Sequence, residues 1–268
     1  MSIINPNKVK MKKLGLLLLV FIASFFYSQA QVAIGVRAGA SLNRFAFPEK
    51  FKEIWTIDPQ VGYLGGLVVE LPIGARFALQ TEFIYATRGS TYGNYDNPAE
   101  VFDNNKVYVK WKTDLNYLDI PLIFKYKFRG RPVGGHLLAG FNFGAGLGGK
   151  ENPTIENSDG ESFPIDVELD YLQRMGLEKE DVVLFGKNSR NDYLQGNSGL
   201  LVGAGLSLDT EIFKYNLDFR YFLGSSSIFN PNEDDKYSWP YTSAEGFDIK
   251  NRSLQLSLTV LYPLGGGW

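Results

Sequence analysis

Residues 116–128 read Asn-Tyr-Leu-Asp-Ile-Pro-Leu-Ile-Phe-Lys-Tyr-Lys-Phe, and their order decides the fold. Leu118, Ile120, Leu122, Phe124, Tyr126 and Phe128 fall on one side of an extended chain, and Asp119, Lys125 and Lys127 on the other. Side chains that alternate with a period of two belong to a β-strand with one apolar and one charged face. A helix would scatter both sets around its axis.

Seven more segments carry the same alternation. Before the quoted stretch, 32–43 sets Ile34, Val36 and Leu42 against Arg37, 60–71 sets Tyr63, Leu67, Val69 and Leu71 against Glu70, and 76–88 sets Phe77, Leu79, Phe83 and Tyr85 against Gln80, Glu82 and Arg88. After it come 133–147 (Leu137, Phe141 and Phe143 against Asn142 and three glycines) and 199–210 (Leu200, Val202, Leu206 and Leu208 against Gly203, Gly205, Ser207 and Asp209). The last two are 215–224 (Leu217, Phe219 and Tyr221 against Asn216, Asp218 and Arg220) and 253–264 (Leu254, Leu256, Leu258 and Tyr262 against Gln255, Ser257 and Thr259). Tight turns near 72–74, 129–132 and 211–214 alternate with long connections near 44–59, 89–115, 148–198 and 225–252. The expectation is an all-β chain: an eight-stranded antiparallel up-and-down barrel with its long loops at one end, closed so that no strand edge is free.

Composition agrees. The 268 residues include no Cys and one His, which excludes disulfide scaffolds, thiol nucleophiles and most His-built chemistry. They also include 29 Gly and 39 aromatic residues (20 Phe, 15 Tyr and 4 Trp), which suit strands and turns. At the N-terminus, Lys8, Lys10, Lys12 and Lys13 precede the apolar run 14–26 and the sequence Ser28-Gln29-Ala30, so 1–30 is expected to be a secretory signal peptide cleaved between Ala30 and Gln31. That run of 13 residues would span only about 20 Å as a helix, too little for a hydrocarbon core of about 30 Å. Without the four leader lysines, 23 bases oppose 29 acids and the charge moves from −2 to −6. No basic surface for nucleic acid is left. The domain expected after the leader is 31–268.

Alternation does not say which face looks outward. A soluble secreted or periplasmic barrel would hide the apolar face and bind an apolar ligand, whereas a membrane barrel would turn it to lipid. In lipid, exposing Arg37, Arg88, Lys125, Lys127 and Arg220 would cost on the order of 10 kcal/mol in total, so there the charged face must look inward. Aromatic residues near both strand ends, Phe77, Tyr126, Phe128, Tyr215 and Tyr262 at one and Tyr63, Tyr85 and Tyr221 at the other, favour lipid, as girdles at two interfaces.

Residues 34–39 (Ile-Gly-Val-Arg-Ala-Gly), the stretch 80–89 with Glu82, Tyr85 and Gly89, the block 117–122 (Tyr-Leu-Asp-Ile-Pro-Leu), the run 139–149 and the set Asp218, Arg220, Tyr221 together resemble the PorT-like outer-membrane β-barrel domain family. The resemblance covers essentially all of 31–264 and implies a barrel in the bacterial outer membrane. It implies no single activity, since a link to protein secretion attaches to only a few members.

On the inward face, Arg37, Arg88, Lys125, Lys127 and Arg220 balance Glu70, Glu82, Asp119, Asp209 and Asp218. An eight-stranded lumen is just wide enough for side chains, so these ten are expected to pair and fill it rather than line a pore. His136, next to a short turn, reads as a solvated or interfacial histidine with no Ser and acid beside it. The glycine run 140–149 has no helix after it and reads as wall, not as a phosphate loop. Loop 149–197 holds 5 basic and 11 acidic residues, and within it Ile165, Leu169, Leu172 and Met175 recur at a spacing that fits a short helix in 164–183. Asp159, Glu161, Glu233, Asp234 and Asp235 lack an ordered metal spacing and read as solvated acids.

The functional expectation is a non-enzymatic barrel without cofactor or metal. Its partners are outer-membrane lipid and lipopolysaccharide, the barrel assembly machinery, and a secretion or surface protein met through loop 149–197. A lipid-modifying enzyme using loop residues such as Ser189 and Asp192 is a further alternative.

Overall fold

The structure, a computed structural model, describes residues 32–49, 55–94, 99–101, 105–128, 130, 132–157, 162–164, 197–228 and 249–264. They form ten strands: β1 (Ala33–Ala46), β2 (Thr56–Ile73), β3 (Phe77–Gly93), β4 (Ala99–Val101), β5 (Asn105–Phe128), β6 (Val133–Asn157), β7 (Ser162–Pro164), β8 (Gly199–Asp209), β9 (Lys214–Gly224) and β10 (Lys250–Pro263). Eight of them close a ring in which each pairs antiparallel with its neighbours, from β1–β2, β2–β3, β3–β5 and β5–β6 to β6–β8, β8–β9, β9–β10 and β10–β1. The short β4 and β7 add to β5 and β6 beyond the ring. This is the eight-stranded up-and-down barrel that the alternation requires.

The apolar face points outward. Phe83, Leu122 and Leu258 are 50%, 49% and 49% exposed, while Glu82, Ile123 and Thr259 beside them are buried in the lumen. A soluble barrel with an apolar ligand cavity is thereby overturned, because the charged side chains occupy the place the ligand would need. On β1, the outward apolar stretch from Ile34 to Leu42 advances eight residues, about 26 Å along the strand and about 20 Å along the axis at a tilt near 40°. Such a band fits the apolar belt of an outer-membrane barrel. Its rim at the short-turn end carries aromatic contacts: Phe77 lies 5.3 Å from both Phe124 and Tyr126, and Phe213 lies 5.9 Å from Tyr262. The first of these turns is closed by Gly74 at φ +74°, a backbone conformation that favours glycine.

The strands run past the limits read from the sequence. Residues 44–46, 56–59, 89–93, 105–115, 148–157 and 250–252, all expected in long loops, are strand. The reason is a change of solvent. Beyond the band the pattern inverts: Phe45, Ile57, Tyr92, Leu115 and Tyr117 turn inward and are buried, while Arg44, Asp58, Lys110 and Lys112 face out and are exposed. Lipid asks for apolar residues outside and water asks for them inside, so one strand crossing both media shows two opposite phases, and the flip resembles a strand end. Pro164, expected to open a helix, instead ends β7, an edge position where its missing N–H is tolerated. The rest of that helix, 165–183, lies outside the described residues, as do the leader, its Ala30–Gln31 junction, Ser189, Asp192 and the acids at 159, 161 and 233–235.

Candidate functional site: the filled lumen

The inward side chains form three tiers and a cap, from the short-turn end to the long-loop end. At the mouth, Glu70 near the end of β2 accepts hydrogen bonds from Lys125 Nζ at 3.2 Å and Lys127 Nζ at 2.6 Å, both on β5. Lys214, the first residue of β9, stands 3.8 Å from both Glu70 and Asp209. Lys127 and Asp209 are the open members, with side chains 20% and 24% exposed. Lys214 was expected in a turn. It is a buried base, a sixth beside the five expected.

The middle tier crosses the lumen. Arg37 on β1 donates to Glu82 Oε2 on β3 at 2.6 Å, to Ser257 Oγ at 2.9 Å and to Gln255 Oε1 at 3.3 Å, both on β10. Arg220 on β9 donates to Glu82 Oε1 at 2.8 Å and to Asp218 Oδ2 at 2.7 Å, and Gln80 also donates to Glu82. Asp218 Oδ1 then lies 2.6 Å from His136 Nε2, and Ser207 Oγ 3.0 Å from His136 Nδ1. A carboxylate only accepts, so Nε2 carries a proton, and in the neutral imidazole Nδ1 accepts from Ser207. The chain of bonds joins β1, β3, β6, β8, β9 and β10, and each charge has a partner of opposite sign, as burial at low dielectric demands.

In the upper tier, Arg88 on β3 donates to both oxygens of Asp119 on β5, to Oδ1 at 3.3 Å. Its guanidinium lies 4.8 Å from the Phe222 ring and 5.3 Å from the Tyr117 ring, within cation–π range. Asn142 donates to Asp119 Oδ1 at 3.0 Å, and Asn251 to Asn197 Oδ1 at 3.0 Å and Tyr117 Oη at 3.3 Å. Above this the lumen turns apolar. Phe45, Phe47, Ile57, Tyr92, Leu115, Tyr117, Ile228 and Ile249 form one cluster, with Trp55 stacked on Tyr92 at 5.6 Å.

All ten expected charges thus face the lumen, divided among tiers. Arg37, Glu82, Asp218 and Arg220 are linked to one another, Arg88 is linked to Asp119, and Glu70 to Lys125 and Lys127, while Asp209 stands near Lys214.

His136 departs from expectation: it is 2% exposed and bonded to Ser207 and Asp218, not solvated, and the Ser and acid said to be missing are beside it. Its even spacing with Leu138 and Gly140 on the inner face was the available signal, but pairing with Ser207 and Asp218 depends on strands 71 and 82 residues away. The order hydroxyl, imidazole, carboxylate is that of a nucleophilic triad. Here Ser207 is only 9% exposed and Asp218 is also held by Arg220, so the group ties strands together rather than presenting a hydroxyl. Glycine makes the fit: a Cβ on Gly205 would lie 2.6 Å from Asp218 Oδ1 and 2.6 Å from His136 Cε1. Among the described residues no three His, Asp or Glu side chains are grouped to hold a metal ion.

Comparison with known proteins matches these features to a family. Solved structures similar to this chain include the Neisserial surface protein A, at 16% identity over 86% of this chain and 97% of that one with a TM-score of 0.39. Others are OprG from Pseudomonas aeruginosa (11% identity, 87% and 94% covered, TM-score 0.41) and the attachment invasion locus protein Ail of Yersinia pestis (9%, 87% and 99%, TM-score 0.35). No curated protein matches. The family model for the outer membrane protein beta-barrel domain matches residues 27–230, most of the chain, and its description agrees with an apolar outer wall around a charged lumen. The chain belongs to the outer membrane protein beta-barrel domain family and is a β-barrel protein of the bacterial outer membrane.

Proposed function

We propose that the barrel is a closed, non-enzymatic anchor and that its work is done by what it carries beyond the outer leaflet. The observation that carries this reading is the filling of the lumen by three polar tiers under an aromatic cap. With side chains bonded from wall to wall, passage of solute is the use the interior suits least. Short turns on the periplasmic side and long connections outside are the usual plan of such barrels. The wall is also uneven: β5 and β6 have 24 and 25 residues against 11 in β8 and β9, and the surplus, extended by β4 and β7, stands above the band on the long-loop side. That raised sheet leads directly into the acidic segment of 149–197, which we assign to a surface or secretion partner. The resemblance of 117–122 to PorT-like barrels, a few of which are linked to protein secretion, keeps a secretion protein beside a surface protein in this assignment. Export by a leader cleaved after Ala30 and insertion by the barrel assembly machinery belong to the same reading.

Deleting 165–196 in the native host tests it. Loss of co-purifying envelope proteins, with the barrel still folded, is the expected result. Retention of every neighbour would remove the loop from consideration. Steady conductance of the purified protein in planar bilayers would overturn the sealed lumen.

A further inference from the structure

Where the outward apolar band ends, two arginines face each other. Arg44 on β1 and Arg252 on β10 are direct register partners, one step above Leu42 and Leu254. Both point outward, since Asn43, Phe45, Asn251 and Ser253 on either side are buried in the lumen. Apolar neighbours flank them: Arg252 is paired with Leu223 on β9, and Leu42 with Val61 on β2, which is 75% exposed. Arg252 is steadied by donating from Nη1 to the carbonyl of Gly224 at 2.8 Å. Among the described residues neither guanidinium meets a carboxylate.

Like charges directly opposite across two antiparallel strands repel. At this height, with hydrocarbon on one side and headgroups on the other, an anion between them would remove the repulsion. Two planar guanidiniums offer parallel N–H donors that match a phosphate, where an ammonium is only a point charge. We propose that Arg44 and Arg252 clamp the phosphate of a glycolipid headgroup in the outer leaflet. The proposal rests on the reading that the long-loop end faces outside.

The test uses the full-length protein in detergent micelles, doped with bisphosphorylated lipid A or with the same glycolipid stripped of phosphate. The readout is the temperature at which the compact, heat-modifiable form is lost. The wild type should be stabilised by the phosphorylated lipid only, and the double variant Arg44→Gln/Arg252→Gln should need about tenfold more lipid for the same shift. Arg44→Lys/Arg252→Lys should fall between. Equal stabilisation of wild type and double Gln variant, or equal effect of the two lipids, would overturn the clamp while leaving the membrane reading intact. An identical shift with inorganic phosphate at the same concentration would overturn the lipid as its ligand. Recovery of the native protein in a salt wash without detergent would instead defeat the underlying reading.

Discussion

His136 Nε2 lies 2.6 Å from Asp218 Oδ1, and the other oxygen of the same carboxylate lies 2.7 Å from Arg220, so one buried acid joins an imidazole on β6 to a guanidinium on β9. Replacing Asp218 by Asn keeps the shape and removes the charge. Arg220 would then share Glu82 with Arg37, an arrangement short of one negative charge. A loss of about 3 kcal/mol is expected, as when one partner of a buried pair is removed, read as a lower urea midpoint in lipid vesicles. An unchanged midpoint would mean that the middle tier does not hold the barrel.

Gly205 sits where any side chain would strike that pair. Gly205→Ala should destabilise by about 1–3 kcal/mol through overpacking against Asp218 and His136. Combining it with His136→Ala frees the space, so the two changes should be less than additive, which a double-mutant cycle on unfolding midpoints will show. Strict additivity would place the clash elsewhere.

The aromatic cap and the tiers beneath it should close the lumen independently. Tyr92→Ala removes a buried ring that touches Phe45, Phe47 and Trp55, and should lower stability by about 3 kcal/mol. Bilayer recordings of this variant should stay silent, because Arg88, reaching from β3 to Phe222 on β9, and Arg220, reaching from β9 to Glu82 on β3, still cross the lumen below. Open-channel steps from it would show that the cap alone is the seal.

Depth within the band should grade the cost of a charge on the outer wall. Leu258 lies midway between Leu254 and Tyr262 on β10, so Leu258→Arg should cost about 2–4 kcal/mol. Leu254→Arg, next to Arg252 at the upper edge, should cost about 1 kcal/mol or less. Equal costs would contradict the placement of the membrane along β10.

Much of this molecule is legible before folding. The strict alternation of 116–128 and 253–264 specifies strands, the rhythm of tight turns and long connections specifies antiparallel neighbours, and the inward parity of Arg37, Glu82 and Arg220 follows from counting. Lys214 and His136 are less legible because each lies at the beginning of a strand, where the turn obscures the phase. Residues 110–115 are hidden by a different cause: they are strand in water rather than lipid, and with Lys110 and Lys112 outside and Leu115 inside their pattern runs in the opposite sense.

A sequence by itself determines which side chains share a face, because the pleat of a single strand enforces a period of two whatever surrounds it. That settled the strands and which side chains share each face, Lys214 apart; which of the two faces looks outward was decided by closure of the ring, which leaves Phe83, Leu122 and Leu258 exposed and Glu82 and Thr259 buried. Partnership across the lumen is another matter. Whether Arg220 meets Glu82, 138 residues earlier, or Arg44 comes to face Arg252 depends on strand register and on closure of the ring, and only the tertiary structure supplies both.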